Sequence, residues 1–306
     1  MAIFIKYEKT APHIVQYQGS KRKLAPQILN YPPRRFNRFI EPFAGMAAMS
    51  IAVASENRCN RFIINDINAP LISLLQDAIE NPETLHRKYS DLWEQQFSYP
   101  EGSEKHFYHI RELFNNGKKE SQLILYLIAR CVKGSVRYGA NGNFNQSPDK
   151  RRNGTNPTTL LKNISEISIL LNGKCSFYTL DYKEILKDAS QGDIIYMDPP
   201  YQGVCNGRDP RYFSGIDFQD FVAALEDLNM RGINYLISYD GTCGEKKYGI
   251  DLPEELGLSK VMLRAGVSTQ SVLNGGNSET VEALYISQGL TGCGVSLQPE
   301  LNLFEA

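Results

Sequence analysis

Short apolar runs alternate along this chain with longer stretches in which apolar residues recur at helical spacing. The short runs, typical of buried strands, occupy residues 38–40, 61–66, 175–181, 193–197, 234–239 and 281–287. Apolar residues at 71, 74, 75 and 79, with Asn68 as a predicted N-cap, and at 218, 221, 225 and 228 predict helices between strands. This alternation predicts an α/β fold with a doubly wound, mostly parallel sheet.

The middle of the chain has a different pattern. Residues 84–130 predict helices, with Leu123 and Leu127 on one apolar side, and residues 131–160 are rich in Gly, Asn, Arg and Lys. We therefore expect a helical and loop insertion at 84–160, set within an α/β domain formed by residues 1–83 and 161–306.

Composition narrows the class of protein. The 306 residues are 42% hydrophobic and 22% charged, which is ordinary for a globular protein, and no apolar stretch is long enough for a membrane span. The six cysteines are scattered and form no CxxC pair, so we expect free thiols in a reducing cytoplasm and no metal. The first residues lack the features of a signal peptide.

The net charge of −1 hides a local basic stretch between residues 130 and 152. Its cations, set against the single acid Asp149, are Arg130, Lys133, Arg137, Lys150, Arg151 and Arg152. A local patch of this kind can bind phosphates on a protein that is neutral overall. The alternative is a solvated loop.

Polar residues stand where several predicted strands end. Glu41-Pro42-Phe43-Ala44-Gly45 forms a turn whose glycine allows a ligand to approach the backbone, while Asp66 and Asp181 end two further strands. Each could serve only as a turn or cap residue. Together they favour a nucleoside-binding crevice, because ligands bind at the carboxyl ends of strands in open α/β sheets.

The run Asp198-Pro199-Pro200-Tyr201 follows another apolar strand. Two prolines impose a rigid turn and hold a carboxylate and an aromatic ring at fixed positions. Such a turn suits a planar base that carries an amino group. A core tyrosine is the alternative for Tyr201.

These motifs resemble the Dam family of adenine-specific DNA methyltransferases. The resemblance is carried by Tyr17-Gln18-Gly19-Ser20-Lys21-Arg22-Lys23-Leu24, Glu41-Pro42-Phe43-Ala44-Gly45, Asp66-Ile67-Asn68 and Asp198-Pro199-Pro200-Tyr201, in that order. It implies a seven-stranded mixed Rossmann-like sheet that binds S-adenosylmethionine, with 84–160 as the target-recognition insertion. One position departs from the family: Ala47 stands where a second glycine is usual.

The resemblance also implies roles for single residues. Tyr17, Gln18, Gly19, Ser20 and Lys21 would line the methionine end of the cofactor pocket. Phe43 and Gly45 would lie against the cofactor. Asp66 would bind its ribose and Asp181 its adenine amino group, and Asp198 would also belong to the cofactor-binding residues. Asp198, Pro199, Pro200 and Tyr201 would hold the target base. The predicted DNA-binding residues are Arg137, Tyr138, Asn145, Lys150, Arg151 and Arg152.

The residue types suit transfer of a methyl group to an amino nitrogen. The Asp198 carboxylate and the Pro199 carbonyl can accept both N–H groups of the adenine amino group and stabilise the positive charge that develops on its nitrogen. The target atom is inaccessible inside duplex DNA, so the base must be flipped out, and Tyr201 can stack on it.

Other interpretations stay open at this stage. The enzyme could act on the cytosine amino group or on RNA adenine, or the chain could be a catalytically silent, sequence-specific DNA-binding regulator. The C-terminal run from Gln298 to Phe304 resembles the short peptides that bind the bacterial sliding clamp, or it simply packs on its own domain. We expect a double-stranded DNA partner and a cytoplasmic location at the prokaryotic nucleoid, with the recognition sequence undetermined.

Overall fold

The apolar runs form one mixed sheet in the computed structural model, which describes residues 11–200, 216–243, 246–248, 251–267 and 279–291. Its strands, within these ranges, are β1 (Phe39–Glu41), β2 (Phe62–Asn65), β3 (Cys175–Tyr178), β4 (Ile194–Met197), β5 (Asn234–Cys243), β6 (Lys246–Tyr248), β7 (Ser259–Val267) and β8 (Glu279–Ile286). Seven lie in the order β3-β2-β1-β4-β5-β8-β7, and short β6 pairs with β5. The predicted doubly wound, seven-stranded mixed sheet is confirmed, with β6 as an addition.

Strand direction divides the sheet into two parts. The strands from β3 to β5 are parallel to one another, whereas β8 is antiparallel to both β5 and β7. Every residue of β2 and β4 is buried, because helices cover both faces, and this is why these strands are continuous apolar runs. No sequence run predicted β7, whose residues Val261 to Arg264 mix apolar and polar types at the edge of the sheet.

Helices pack on both faces of the sheet. Within the described residues they are α1 (Ala25–Ile28), α2 (Ala48–Ser55), α3 (Ala69–Glu80), α4 (Pro82–Ser98), α5 (Gly102–Asn115), α6 (Ser121–Arg130), α7 (Pro157–Leu171), α8 (Tyr182–Lys187) and α9 (Phe218–Met230). Helices α8 and α9 bury Leu186 and Leu225 against one face, which includes Ile195. Helices α2, α3 and α7 cover the other face.

The helices of the middle segment extend the core of that second face. Phe107 of α5 and Ile124 of α6 belong to the same apolar cluster as Leu74 of α3 and Phe39 of β1. The segment 131–156 follows α6 as a loop that contains a small hairpin. In this hairpin the Asn145 N–H donates to the Arg137 carbonyl at 3.0 Å.

Several predicted features lie outside the described residues. They are Tyr201, the segment 298–304 proposed as a clamp-binding peptide, and three of the six cysteine side chains (Cys205, Cys243 and Cys293). Among the helices that are described, none combines the length and the apolar character that crossing a membrane requires.

Candidate functional site

The carboxyl ends of β1, β2 and β4 open onto a cavity of about 430 Å³. All ten residues predicted to bind the cofactor line it: Tyr17, Gln18, Gly19, Ser20, Lys21, Phe43, Gly45, Asp66, Asp181 and Asp198. Residues that stand up to 181 positions apart in the sequence therefore meet at one edge of the sheet, as expected for a parallel α/β fold. Their individual roles remain predictions.

The turn after β1 brings backbone close to an aromatic ring. Gly45 has φ +51°, and a Cβ built there would lie 3.2 Å from a ring carbon of Tyr17. Glycine is suited to this position because it adopts the left-handed conformation without steric cost and leaves room for the ring. Tyr17, the first residue of the opening motif (residues 17–24), and the β1 turn thus form one wall of the cavity.

Asp66 ties this wall to the end of β2. Its Oδ2 accepts the Gly45 N–H at 2.8 Å, and its Oδ1 accepts the Asn68 N–H at 2.9 Å. Burial raises the pKa of Asp66, and the two backbone N–H groups act in the opposite direction. Asp66 is therefore a turn residue, as one sequence interpretation held, and it also lines the cavity.

Ala47 occupies a conformation that glycine prefers. It is fully buried at the N-cap of α2 with φ 51° and ψ 39°, in the left-handed region. An L-residue with a Cβ is strained there by roughly 1–2 kcal/mol. The departure from the family at this position is thus accommodated at the cost of backbone strain.

Asp181 lies further from its strand than the sequence suggested. Strand β3 ends at Tyr178, and Asp181 instead caps α8, where its side chain accepts the Lys183 N–H at 2.9 Å. The exposed Asp181 remains on the cavity wall, next to Tyr182, whose ring lies 5.2 Å from that of Phe43. This end of the cavity combines an acceptor with two aromatic rings.

Asp198 lines the cavity at the carboxyl end of β4. Its Oδ1 lies 3.2 Å from Nζ of Lys21, which is only 5% exposed. Pro200 also lines the cavity, whereas Pro199 is buried beside it. Two residues earlier, the Tyr196 hydroxyl shares a 2.7 Å hydrogen bond with the Ser238 hydroxyl and fixes β4 to β5. Asp198, the first residue of the predicted base-binding turn, thus lies beside a buried ammonium group.

The buried carboxyl of Glu41 was quoted in the sequence motif but not predicted as a site residue. It accepts hydrogen bonds from the Ser50 N–H at 2.9 Å and from the Ser50 hydroxyl at 2.5 Å. Burial raises the pKa of Glu41 to about 7. The cavity therefore contains a carboxyl group that changes charge near neutral pH.

The basic turn, defined as Lys150, Arg151 and Arg152, presents its cations to solvent. Their side chains are 76%, 80% and 59% exposed. Arg130, which the sequence placed in the same basic stretch, is instead buried beneath the turn. It donates to the carbonyls of Asp149 and Arg152 and so supports the turn from below.

The other predicted DNA-binding residues, Arg137, Tyr138 and Asn145, lie in the hairpin and not in the basic turn. Tyr138 lines the cavity, and its hydroxyl donates to Asn68 Oδ1 at 3.1 Å. This contact engages the Asn68 side chain, which therefore makes no capping hydrogen bond for α3 although Asn68 occupies the N-cap position. Arg137 is half-buried and Asn145 is exposed. The predicted DNA-binding set thus divides between an exposed cationic turn and a hairpin beside the cavity.

A close backbone contact joins the insertion to the opening motif. Gly134 has φ +61°, and a Cβ there would overlap the carbonyl oxygen of Gln16. The Gln18 N–H donates to the Gly134 carbonyl at 3.1 Å, and Arg152 Nη1 donates to Gln16 Oε1 at 2.9 Å. This junction fixes the cavity wall relative to the middle segment.

Sequence reasoning also missed Glu282 on β8. Its Oε2 lies 2.8 Å from Lys21 Nζ, closer than Asp198. The signal available in the sequence was a carboxylate between Val281 and Ala283 in a run otherwise typical of a strand. Nothing in the sequence indicated which cation it would meet.

Comparison with known proteins agrees with the family that the sequence motifs resemble. A family model described as D12 class N6 adenine-specific DNA methyltransferase matches residues 17–262. The DNA N-6-adenine-methyltransferase of Escherichia phage P1 is 27% identical over 74% of this chain and 30% of its own length.

Two further relatives have a similar identity to this chain. The type II methyltransferase M1.LlaDCHI of Lactococcus lactis subsp. cremoris is 28% identical over 61% of this chain and 64% of its own length. The retron Ec67 DNA adenine methylase of Escherichia coli is 25% identical over 75% of this chain and 77% of its own length. The chain thus spans less than two thirds of the first two relatives and most of the third.

Proposed function

The chain belongs to the family of D12 class N6 adenine-specific DNA methyltransferases, and from that premise we propose that it methylates the N6 amino group of adenine in a short duplex DNA sequence. The methyl donor in this proposal is S-adenosylmethionine. We assign catalysis to residues 1–83 and 161–306 and target recognition to the insertion at 84–160.

The residues of the cavity suit such a donor. The volume of about 430 Å³ lies within the usual range for small-molecule sites. The glycine turn at Gly45 leaves backbone accessible, Asp66 offers a carboxylate for a ribose, and Asp181 with Phe43 and Tyr182 offers an acceptor beside aromatic faces. When bound, S-adenosylmethionine supplies a methyl group activated by a positively charged sulfur.

Asp198 would activate the amino group of the acceptor base. An adenine amino nitrogen is a poor nucleophile, because its lone pair is delocalised into the ring. Hydrogen bonds from the amino group to the Asp198 carboxylate and the Pro199 carbonyl would localise that lone pair and stabilise the positive charge that develops on nitrogen. Lys21, 3.2 Å from the carboxylate, favours its ionised, hydrogen-bond-accepting form.

The DNA-facing part of the proposal rests on exposure and charge. The basic turn offers three exposed cations for phosphates. The hairpin that contains Arg137 and Asn145 lies beside the cavity, because its Tyr138 lines the cavity wall. Phosphate contacts position a protein on DNA, whereas contacts to base edges specify the sequence. We therefore assign positioning to the basic turn and sequence reading to the hairpin.

The observation that carries the proposal is that Asp198 shares one cavity with Asp66, Asp181 and the Gly45 turn. The test incubates wild-type protein, Asp198→Ala and the exposed control Asp91→Ala with labelled S-adenosylmethionine and unmethylated plasmid DNA. Digested nucleosides are then analysed. We expect label in methyladenine from wild type and control but not from Asp198→Ala, with cofactor binding by Asp198→Ala retained.

The same experiment separates the alternatives. Label in methylcytosine would retain the mechanism and change the base, and competition between duplex DNA and structured RNA would identify an RNA substrate. Sequence-specific DNA binding without transfer of label by the wild type would indicate a silent regulator. Near-normal transfer by Asp198→Ala would remove Asp198 from the mechanism.

A further inference from the structure

We propose that Glu282 is a positioning residue that shares the Lys21 ammonium with Asp198 and thereby leaves the Asp198 carboxylate available to the amino group of the target base. This inference rests on the proposed function. Glu282 would act through Lys21 and would touch neither the base nor the methyl donor.

The distances place the ammonium between two carboxylates. Lys21 Nζ lies 2.8 Å from Glu282 Oε2 and 3.2 Å from Asp198 Oδ1, and Lys21 is 5% exposed. The two carboxylate side chains are themselves about one fifth exposed, at 21% and 22%. Solvent screening of this three-residue cluster is therefore weak, and each charge strongly affects the others.

The sheet brings Glu282 to this position from a distant part of the sequence. Side chains alternate between faces along β8, so Glu282 shares a face with Leu284 and Ile286, which belong to the core beneath α2 and α3. Opposite them, Ser238 pairs with Leu284 and Gly241 pairs with Glu282, so β5 contains one extra residue between the two pairs. Such a bulge bends a strand and redirects side chains, and bulges are frequent beside active sites.

The balance of charge explains why a second carboxylate matters. An ammonium group has three N–H donors and pairs strongly with any carboxylate nearby. If Asp198 alone balanced Lys21, the neutral N–H groups of a base would compete with a full positive charge for the same oxygens. With Glu282 as the closer partner, part of that attraction is directed away from Asp198.

Other acidic groups around Asp198 do not replace Glu282. Glu41 also interacts electrostatically with Asp198, but its carboxyl is engaged by Ser50. Asp217 and Asp220 line the same cavity, where Asp217 caps α9 and Asp220 pairs with Lys183 at 2.9 Å. Within the described residues, Glu282 and Asp198 are the carboxylates placed within 4 Å of the Lys21 ammonium.

The test compares Glu282→Gln with wild type in steady-state methylation of plasmid DNA across pH. We expect kcat to fall at least tenfold, with KM for S-adenosylmethionine changed less than threefold. The acidic limb of the kcat profile should move to lower pH, because Asp198 loses a neighbouring negative charge that disfavours its ionisation. Glu282→Asp, which keeps the charge, should retain the wild-type position of that limb.

The matched control is Asp251→Asn, which removes a carboxylate 2.6 Å from Lys260 on the neighbouring edge of the same sheet. We expect wild-type kinetics from this variant, and thermal unfolding of each variant tests for damage to the fold. Equal losses in Asp251→Asn and Glu282→Gln, or an unchanged kcat and acidic limb in Glu282→Gln, would overturn the inference. If wild-type protein transfers no label to DNA, the proposed function itself fails, which is a different result.

Discussion

The cavity and the basic turn use charged residues in opposite ways. In the cavity, the Asp66 carboxylate is fixed by two backbone N–H groups and Glu41 by both the backbone and side chain of Ser50. In the basic turn, Lys150 and Arg151 extend into solvent with more than three quarters of their side chains exposed. Arg130, which supports the turn from beneath, is buried instead.

The difference follows from what each region is proposed to bind. A small-molecule donor is bound with least loss of entropy by protein groups that are already in place. The phosphates of DNA are repeated along its length, and long solvated cations can reach them with little need for a single geometry. The junction at Gly134 connects these two regions, and five predictions test how separate they are.

The largest effect is expected from Gly134→Ala at the junction. The new Cβ would overlap the Gln16 carbonyl, so we expect the free energy of unfolding to fall by about 3 kcal/mol or more, with cofactor and DNA binding weakened together. Gly173→Ala is the matched control, since Gly173 also has a positive φ but has no atom within 4 Å of an added Cβ. Similar thermal midpoints for the two variants would contradict the proposed role of the junction.

Asp66→Ala should damage the cavity without affecting the basic turn. It removes both the proposed ribose ligand and the acceptor that fixes Gly45, so we expect cofactor affinity to fall about a hundredfold, equivalent to about 2.7 kcal/mol. Calorimetry measures this loss, and the salt dependence of DNA binding should not change. Cofactor affinity within threefold of wild type would remove Asp66 from the site.

Glu41→Gln should change how the free energy of unfolding depends on pH. The pKa of Glu41 is raised in the folded state, so the folded protein binds the proton more tightly than the unfolded chain. Wild-type stability should therefore fall by roughly 2.5 kcal/mol as pH rises from about 4.5 to about 7, and the variant should lack this contribution. Thermal melts of both proteins at pH 5 and pH 8 give the comparison, and parallel curves would contradict it.

Replacement of Lys150 and Arg151 by Gln should affect only the electrostatic part of DNA binding, because Arg152, which donates to Gln16 at the junction, stays in place. The slope of log affinity against log salt concentration should become shallower by about 0.9 for each phosphate that the variant no longer neutralises. Arg87→Gln with Lys88→Gln, on the exposed side of α4, is the control. An unchanged slope in the Lys150 and Arg151 double variant would show that the DNA binds elsewhere, and cofactor affinity should be the same in wild type, double variant and control.

Ala47→Gly should produce the smallest effect. Glycine relieves the left-handed strain at this position but increases the entropy of the unfolded chain, so we expect a net gain in stability of up to about 1 kcal/mol. Chemical denaturation measures it. A loss of stability would show that the buried methyl group contributes more through packing than the strain costs.

Apolar periodicity and the order of the motifs were enough to predict the main features of the fold and the family. Apolar runs such as Ile194–Met197 predicted the central strands, because a strand covered on both faces must be apolar throughout. The order of the motifs predicted the adenine methyltransferase family, and the family match confirmed it. The ten predicted cofactor residues meet in one cavity, because parallel strands bring their carboxyl ends to the same edge.

The partners of the charged residues could be identified only from the folded structure. Arg130 looked like its basic neighbours but is buried, Tyr138 reaches the cavity, and Glu282 meets Lys21 from a strand 261 residues later in the chain. Edge strand β7 was missed because its apolar run, Val261 to Leu263, is short and flanked by Lys260 and Arg264. Local sequence encodes periodicity and turns, whereas burial and ion pairing depend on segments that become neighbours only when the sheet has formed.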